Sequence, residues 1–183
     1  MIKNLVLLLL FLSGLNAFAA SAAHPESKLY FTDYCRYFNY SSEKHHIVTE
    51  DGYILTLFRI QKKGTPIKPG LKPILLQHGL LDSSDTWLIN DENKAPGFML
   101  ANKGFDVWFG NSRGNKHSRN HTKYNPDKNK DFWMFSFQDM ADYDLPAVFT
   151  YINNITKQKI HYIGHSQGTI QMHIALSKRN PII

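Results

Sequence analysis

The residues with the clearest chemical spacing are Gly164-His165-Ser166-Gln167-Gly168. A serine with glycines two positions before and two after it fits the G-x-S-x-G pattern, in which a strained strand-to-helix turn lifts the hydroxyl out of a sheet. The strand and helix must then pass very close together, which Gly164 and Gly168 permit. The chemistry suited to such a serine is acyl transfer through a covalent intermediate. It calls for a base, a group to orient that base, and donors for the oxyanion. The backbone N–H of Gln167, next after the serine, is placed for one donor. A second belongs in the loop after an earlier buried strand. His78-Gly79-Leu80 follows such a strand, and the Leu80 N–H is the expected donor, with Leu81 as the neighbouring alternative.

A base is harder to find. The 17 residues from Gln167 to Ile183 contain His173 and neither Asp nor Glu. On a helix, His173 lies two turns from Ser166, about 10 Å along the axis. His165 adjoins the serine but faces away from its side of the turn. Metal chemistry is not expected either. His161 and His165 on a strand are about 13 Å apart, and His45-His46 has no third ligand at a metal-binding spacing.

The elements that must hold this serine are legible in the hydrophobic pattern. Ile160 to Ile163 is a short apolar strand, and a helix should run from the serine to about Lys178. Pro73–Gln77 is a continuous apolar run between turn signals, as in a parallel strand buried on both faces. Gly104 to Phe109 is a further strand, and Pro96 to Ala101 a short helix. Ile47 to Ile60 reads as two strand segments about a Glu50-Asp51-Gly52 turn. Ser136 to about Asn153 has apolar residues near a 3.6 period, with Pro146 set to kink it. Residues 24–42 suggest a short helix packed on the core. Alternating strands and helices predict an α/β fold, a mostly parallel sheet with helices on both faces.

Length and composition suit one domain: 183 residues, 43% hydrophobic and 13% aromatic. Residues 1–22 form a separate unit. Lys3 precedes the apolar run Leu5 to Leu12, and Ala17-Phe-Ala19 or Ala20-Ser-Ala22 offers a cleavage site. This is expected to be a cleaved secretory signal, because the run is too short for a transmembrane segment. Residues 23–183 then form the mature portion, in a secreted or lysosomal/vacuolar lumen. Cys35, the only cysteine, is either a buried thiol or the half of a bridge whose partner lies beyond Ile183. Asn39, Asn120 and Asn154 head N-glycosylation sequons. The net charge is +6, and residues 113–131 hold six Lys/Arg against two Asp in a Gly/Asn/Pro-rich stretch read as a solvated loop. No nucleic-acid-binding motif accompanies that charge.

Taken together, Val48 to Leu55, Leu76-Gln-His-Gly-Leu-Leu81, Asp106 to Asn115, Phe135 to Ala147 and Tyr162 to Gly168 resemble the acid lipases, the gastric and lysosomal acid lipase family. The likeness runs from about Pro25 to Ile183 in the same order. It implies an α/β-hydrolase fold, truncated after the nucleophile-elbow helix. It also implies cleavage of acyl esters of glycerol or sterols at a lipid–water interface, without a cofactor. Ser166 matches the family nucleophile, and Leu80 and Gln167 the oxyanion donors. The family's lid, triad Asp and triad His have no counterpart in these residues. The resemblance therefore implies a lipase of which this is the front half. A catalytically inactive or lipid-binding remnant is the reading from another class, and a serine peptidase on the same fold is made less favourable by the likeness.

Overall fold

A computed structural model describes residues 29–183. The expected signal at residues 1–22 lies outside the described residues. The chain forms one six-stranded sheet in the order β1-β2-β4-β3-β6, with β5 paired to β2. The strands are β1 (Ser42–Val48), β2 (Tyr53–Ile60), β3 (Pro73–Gln77), β4 (Asp106–Phe109), β5 (Asn120–His121) and β6 (His161–Gly164). The sheet is parallel through β4, β3 and β6 and antiparallel where the β1–β2 hairpin and β5 join it.

The alternation of side chains across a strand gives the sheet two apolar faces. On one, Phe58, Ile60, Ile74, Leu76 and Phe109 pack with Phe31 and Cys35 of α1 (Phe31–Tyr37) and Phe98 and Ala101 of α2 (Pro96–Asn102). On the other, Leu55, Leu57, Leu75 and Trp108 pack with Leu145, Val148 and Ile152 of α4 (Leu145–Thr156) and Ala175 of α5 (Gln167–Ser177). Helices therefore cover both faces, as the alternation of elements predicts. Every residue of β3 is buried, whereas β6 is half-exposed and pairs with β3 on one side only among the described residues.

Beyond β1, which begins at Ser42 rather than Ile47 because Ser42 to His46 pair with Ile60 to Thr56 of β2, local outcomes follow sequence signals with two exceptions. α3 (Phe137–Asp139) opens with a capping box, Ser136 accepting from the Gln138 N–H while Asp139 accepts from the Ser136 N–H. It does not continue as one kinked helix. Met140–Asp144 forms a π-helical turn, and α4 begins just before Pro146. Pro146 has no N–H to give to the carbonyl four residues back and its ring crowds that carbonyl, so a wider turn ahead of it relieves both. The second exception is the basic stretch. It contains β5 and a 3-10 turn at Lys130–Trp133, and much of its charge is neutralised internally. Arg113 is buried between Asp51 and Asp144, Lys116 pairs with Asp85, and Arg119 with Asp127.

Cys35 is fully buried and unbridged, and burial pushes its thiol up to about 12. No described helix is long and apolar enough to cross a membrane.

Candidate active site

The parallel strands all point their C-terminal ends at one edge of the sheet, and Ser166 stands at that edge beyond β6. Its backbone has φ 50 and ψ −115, a region that only the surroundings can impose on a non-glycine residue. The constraint is visible in the packing. A Cβ on Gly164 would stand 2.8 Å from Gly168 C and Thr169 N, and one on Gly168 would stand 2.6 Å from Gln77 O and 2.9 Å from His78 O. The two glycines thus bring β6, the first turn of α5 and the end of β3 into contact. The His165 N–H donates to Gln77 O at 3.0 Å and the Gly168 N–H to His165 O at 2.9 Å, which clamps both sides of the turn. Ser166 is exposed.

Gly79 lies against this turn. A Cβ there would come within 3.1 Å of Ser166 Cβ and of His165 Nδ1. The loop that carries it is fixed from inside by His78, which is 2% exposed. Its Nε2 accepts from the Ser112 N–H at 3.0 Å and from Asn115 Nδ2 at 3.1 Å. The ring proton must then sit on Nδ1, which donates to Gly79 O at 2.7 Å. Burial pushes the imidazole below its ordinary value, consistent with this neutral form. In a trans peptide the C=O and N–H point opposite ways. Turning Gly79 C=O onto the buried ring therefore turns the Leu80 N–H away from it. Neither that N–H nor the one of Gln167 has a protein acceptor among the described residues.

Below the loop lies a buried polar layer. Gln77 Nε2 donates to Ser112 Oγ at 2.9 Å, and Gln171 Nε2 lies 3.3 Å from the same oxygen. The Gln167 and Gln171 amides both reach Met140 Sδ at 3.1 Å, tying the elbow helix to the π-turn. The π-turn is anchored in its turn by Asp144. Arg113 donates to it through Nε at 2.8 Å and its backbone N–H at 3.1 Å, holds Asp51 through both terminal nitrogens, and stacks 4.0 Å over the Tyr53 ring. Burial pushes the Asp144 carboxyl up to about 6 against the pull of Arg113. At Asp51 burial also pushes upward, but hydrogen bonds from Arg113 and Thr49 hold the carboxyl below the usual range.

Sequence reasoning read Arg113 as a loop charge and gave His78 no side-chain role. A signal for the first was present. Asp144 shares the i, i+4 stripe of Met140, Val148 and Ile152, and an acid on a buried stripe requires a buried cation.

None of the remaining described histidines is hydrogen-bonded to Ser166. His173 is exposed on α5, and His165 is exposed beside the turn. His78 has both ring nitrogens committed. No described residue hydrogen-bonds Ser166 Oγ. His45 is bound to Tyr151 and Glu43, and no group of three or more His, Cys, Asp or Glu converges among the described residues. The sequons at Asn39, Asn120 and Asn154 are all exposed. A groove of about 350 Å³, lined by Ile47, Tyr143, Pro146, Tyr151 and Ile182 among others, lies beside β1 and α4 and touches neither Ser166 nor the Gly79 loop.

A family model described as the alpha/beta hydrolase fold matches residues 72–183. The chain belongs to that family. A second model, a partial alpha/beta-hydrolase lipase region, matches residues 31–91. Among curated proteins the chain is 47% identical over 143 residues to Lipase 1 of Drosophila melanogaster, covering 78% of this chain and 31% of that one. It is 45% identical over 159 residues to gastric triacylglycerol lipase of Bos taurus, covering 85% and 40%. The fold is shared with an esterase of Pyrococcus furiosus (TM-score 0.51, 20% identity, 75% of this chain and 46% of that one). It is shared also with brefeldin A esterase (TM-score 0.53, 16% identity, 79% and 37%). The chain thus spans only 31% and 40% of the length of these two curated relatives.

Proposed function

We propose that the chain carries the nucleophile and oxyanion portion of a serine ester hydrolase, a lipase of lipid catabolism acting on acyl esters of glycerol or sterols. The observation that carries the reading is the strained Ser166 turn, wedged by Gly164, Gly168 and Gly79, in a chain nearly half identical to named lipases. Ser166 Oγ attacks the ester carbonyl carbon and the alcohol leaves with a proton. Water then releases the acid from the acyl-serine. The Leu80 and Gln167 N–H groups receive the oxyanion charge, Gln167 with help from the positive N-terminal end of α5. Leu80 and Leu81 are exposed on the Gly79 loop beside the serine and suit a lipid–water interface. No cofactor enters this chemistry. Export through a cleaved leader to a secreted or lysosomal lumen, with glycans on Asn39, Asn120 and Asn154, accords with the sequons' exposure.

A second reading has its own observation. With no base at Ser166 among the described residues, this chain alone would be an inactive, lipid-binding remnant. An external base separates the two. The purified chain should show no Ser166-dependent turnover of a chromogenic butyrate ester, because an unassisted hydroxyl stays protonated. Added imidazole should then produce acylation of Ser166, detected by mass spectrometry and absent from Ser166→Ala. Failure of imidazole to acylate a folded chain would overturn the nucleophile assignment. Unaided turnover near ~1 s⁻¹, the ordinary enzyme range, would show that a base within the chain serves the serine.

A further inference from the structure

The edge of the sheet opposite Ser166 is positively charged across its width. β3, β4 and β6 begin there, and β2 ends there because it runs antiparallel to β4. Lys72 immediately precedes β3, Lys103 precedes β4, Lys157 and Lys159 precede β6, and Lys62 and Lys68 lie in the loop that follows β2. All six are exposed. Three acids of this region are already committed: Glu43 and Asp106 to Arg59, and Glu92 to Lys63. None of the six lysines forms an ion pair among the described residues.

The segments bearing them are held in place. Gln61 bonds both the N–H and the C=O of Lys68, Gln158 Nε2 donates to Leu71 O, and the Asp106 N–H donates to Lys72 O. With neighbouring strands about 4.8 Å apart, the charges form a row roughly 15 Å long from β2 to β6. This row arises only on folding. The lysines are scattered over about a hundred residues of sequence, far from the 113–131 stretch where the linear charge is concentrated.

We propose that this row is a docking surface for a linear polyanion, a sulfated or carboxylated polysaccharide. Charge complementarity along a single row favours an extended chain of anionic groups. The placement of the row disfavours a flat anionic membrane. Bound through this edge, a bilayer would face away from Ser166 and from the exposed Leu80 and Leu81. A polysaccharide held at this edge leaves the serine-bearing edge free. The inference does not depend on the nucleophile being active.

The test measures binding of the protein to heparin as a sulfated probe, beside phosphatidylserine vesicles. Removing the charge at Lys72→Gln, Lys103→Gln and Lys159→Gln together should weaken heparin binding roughly a hundredfold. The matched change at Lys123→Gln, Lys128→Gln and Lys130→Gln should alter it little. Arginine at 72, 103 and 159 should retain binding. All these side chains are exposed, and thermal melts verify that the variants remain folded. Equal loss in both glutamine triples would reduce the effect to net charge and overturn the proposal. So would absence of heparin binding, or tighter capture by the vesicles than by heparin.

Discussion

At Ser166 the backbone and the side chain make opposite demands. Conformations of this kind cost on the order of 1–3 kcal/mol for a non-glycine residue, and the hydroxyl is what the turn exists to present. Ser166→Gly should therefore stabilise the fold by about 1 kcal/mol while abolishing acylation. Gly168→Ala should do the reverse, because its Cβ would stand 2.6 Å from Gln77 O and 2.9 Å from His78 O, backbone atoms that cannot swing aside. Overpacking of this kind costs about 1–3 kcal/mol. Urea unfolding of the two variants beside the parent checks both signs, and a stabilised Gly168→Ala chain would contradict the wedge. The elbow was legible because its constraint is local: five consecutive residues encode the turn. The fixing of Gly79 by His78 was not, because the ring takes its tautomer from Ser112 and Asn115, more than thirty residues away.

Elements are coupled chiefly through Asp144 and Arg113, which join the hairpin turn, the loop after β4 and the π-turn beneath α5. The two carboxylates on Arg113 titrate in opposite senses. Asp144 lies near 6 in the folded chain against 3.8 for the free group. Between those values the folded state holds a proton that the unfolded state has lost, so stability falls as pH rises from about 4 to about 6. Asp51 is depressed, so its contribution is present above its unfolded value of 3.8 and is lost only on further acidification. Asp144→Asn should remove the decline across pH 4 to 6. Denaturant midpoints of parent and variant at pH 4, 5 and 6 measure this, and parallel profiles would show that Asp144 does not titrate there. Strands β2, β3, β4 and β6 and helices α2 and α5 were readable from apolar runs and turn residues, while α1 had no clear period. The π-turn and β5 were not. The first depends on how Pro146 is accommodated against packed neighbours. The second is two residues long and exists only because Tyr53 and Ile54 of β2 pair with it.

Across the whole molecule, the two edges of one sheet differ in chemical character. The edge where the parallel strands end carries the serine, the Gly79 loop and the exposed Leu80 and Leu81, while the edge where they begin carries six lysines with no ion pair among the described residues. The linear sequence concealed this division. It grouped Arg113, Lys116 and Arg119 as a basic stretch, yet folding gives each of them an acid. It dispersed the lysines that folding brings into one row. On the flank, β6 has its ladder on one side only among the described residues, with Ile163 39% exposed. An open edge of that kind templates pairing between copies, so self-association of the isolated chain should grow with concentration.

The lone thiol offers a way to time the opening of this structure. Cys35 sits on α1 in the apolar cluster that Phe31 and one face of the sheet share, fully covered and with its proton held to about pH 12. In that setting it neither attacks a disulfide nor meets a dissolved reagent, because only an exposed thiolate reacts. Maleimide or an aromatic disulfide should therefore label the protein only as fast as α1 detaches. The labelling rate becomes a clock for that event, independent of any enzymatic assay. If detachment requires global unfolding, the rate should track the denaturant midpoint across the Gly168 and Asp144 variants. Prompt labelling of the folded chain would show that α1 breathes separately from the sheet.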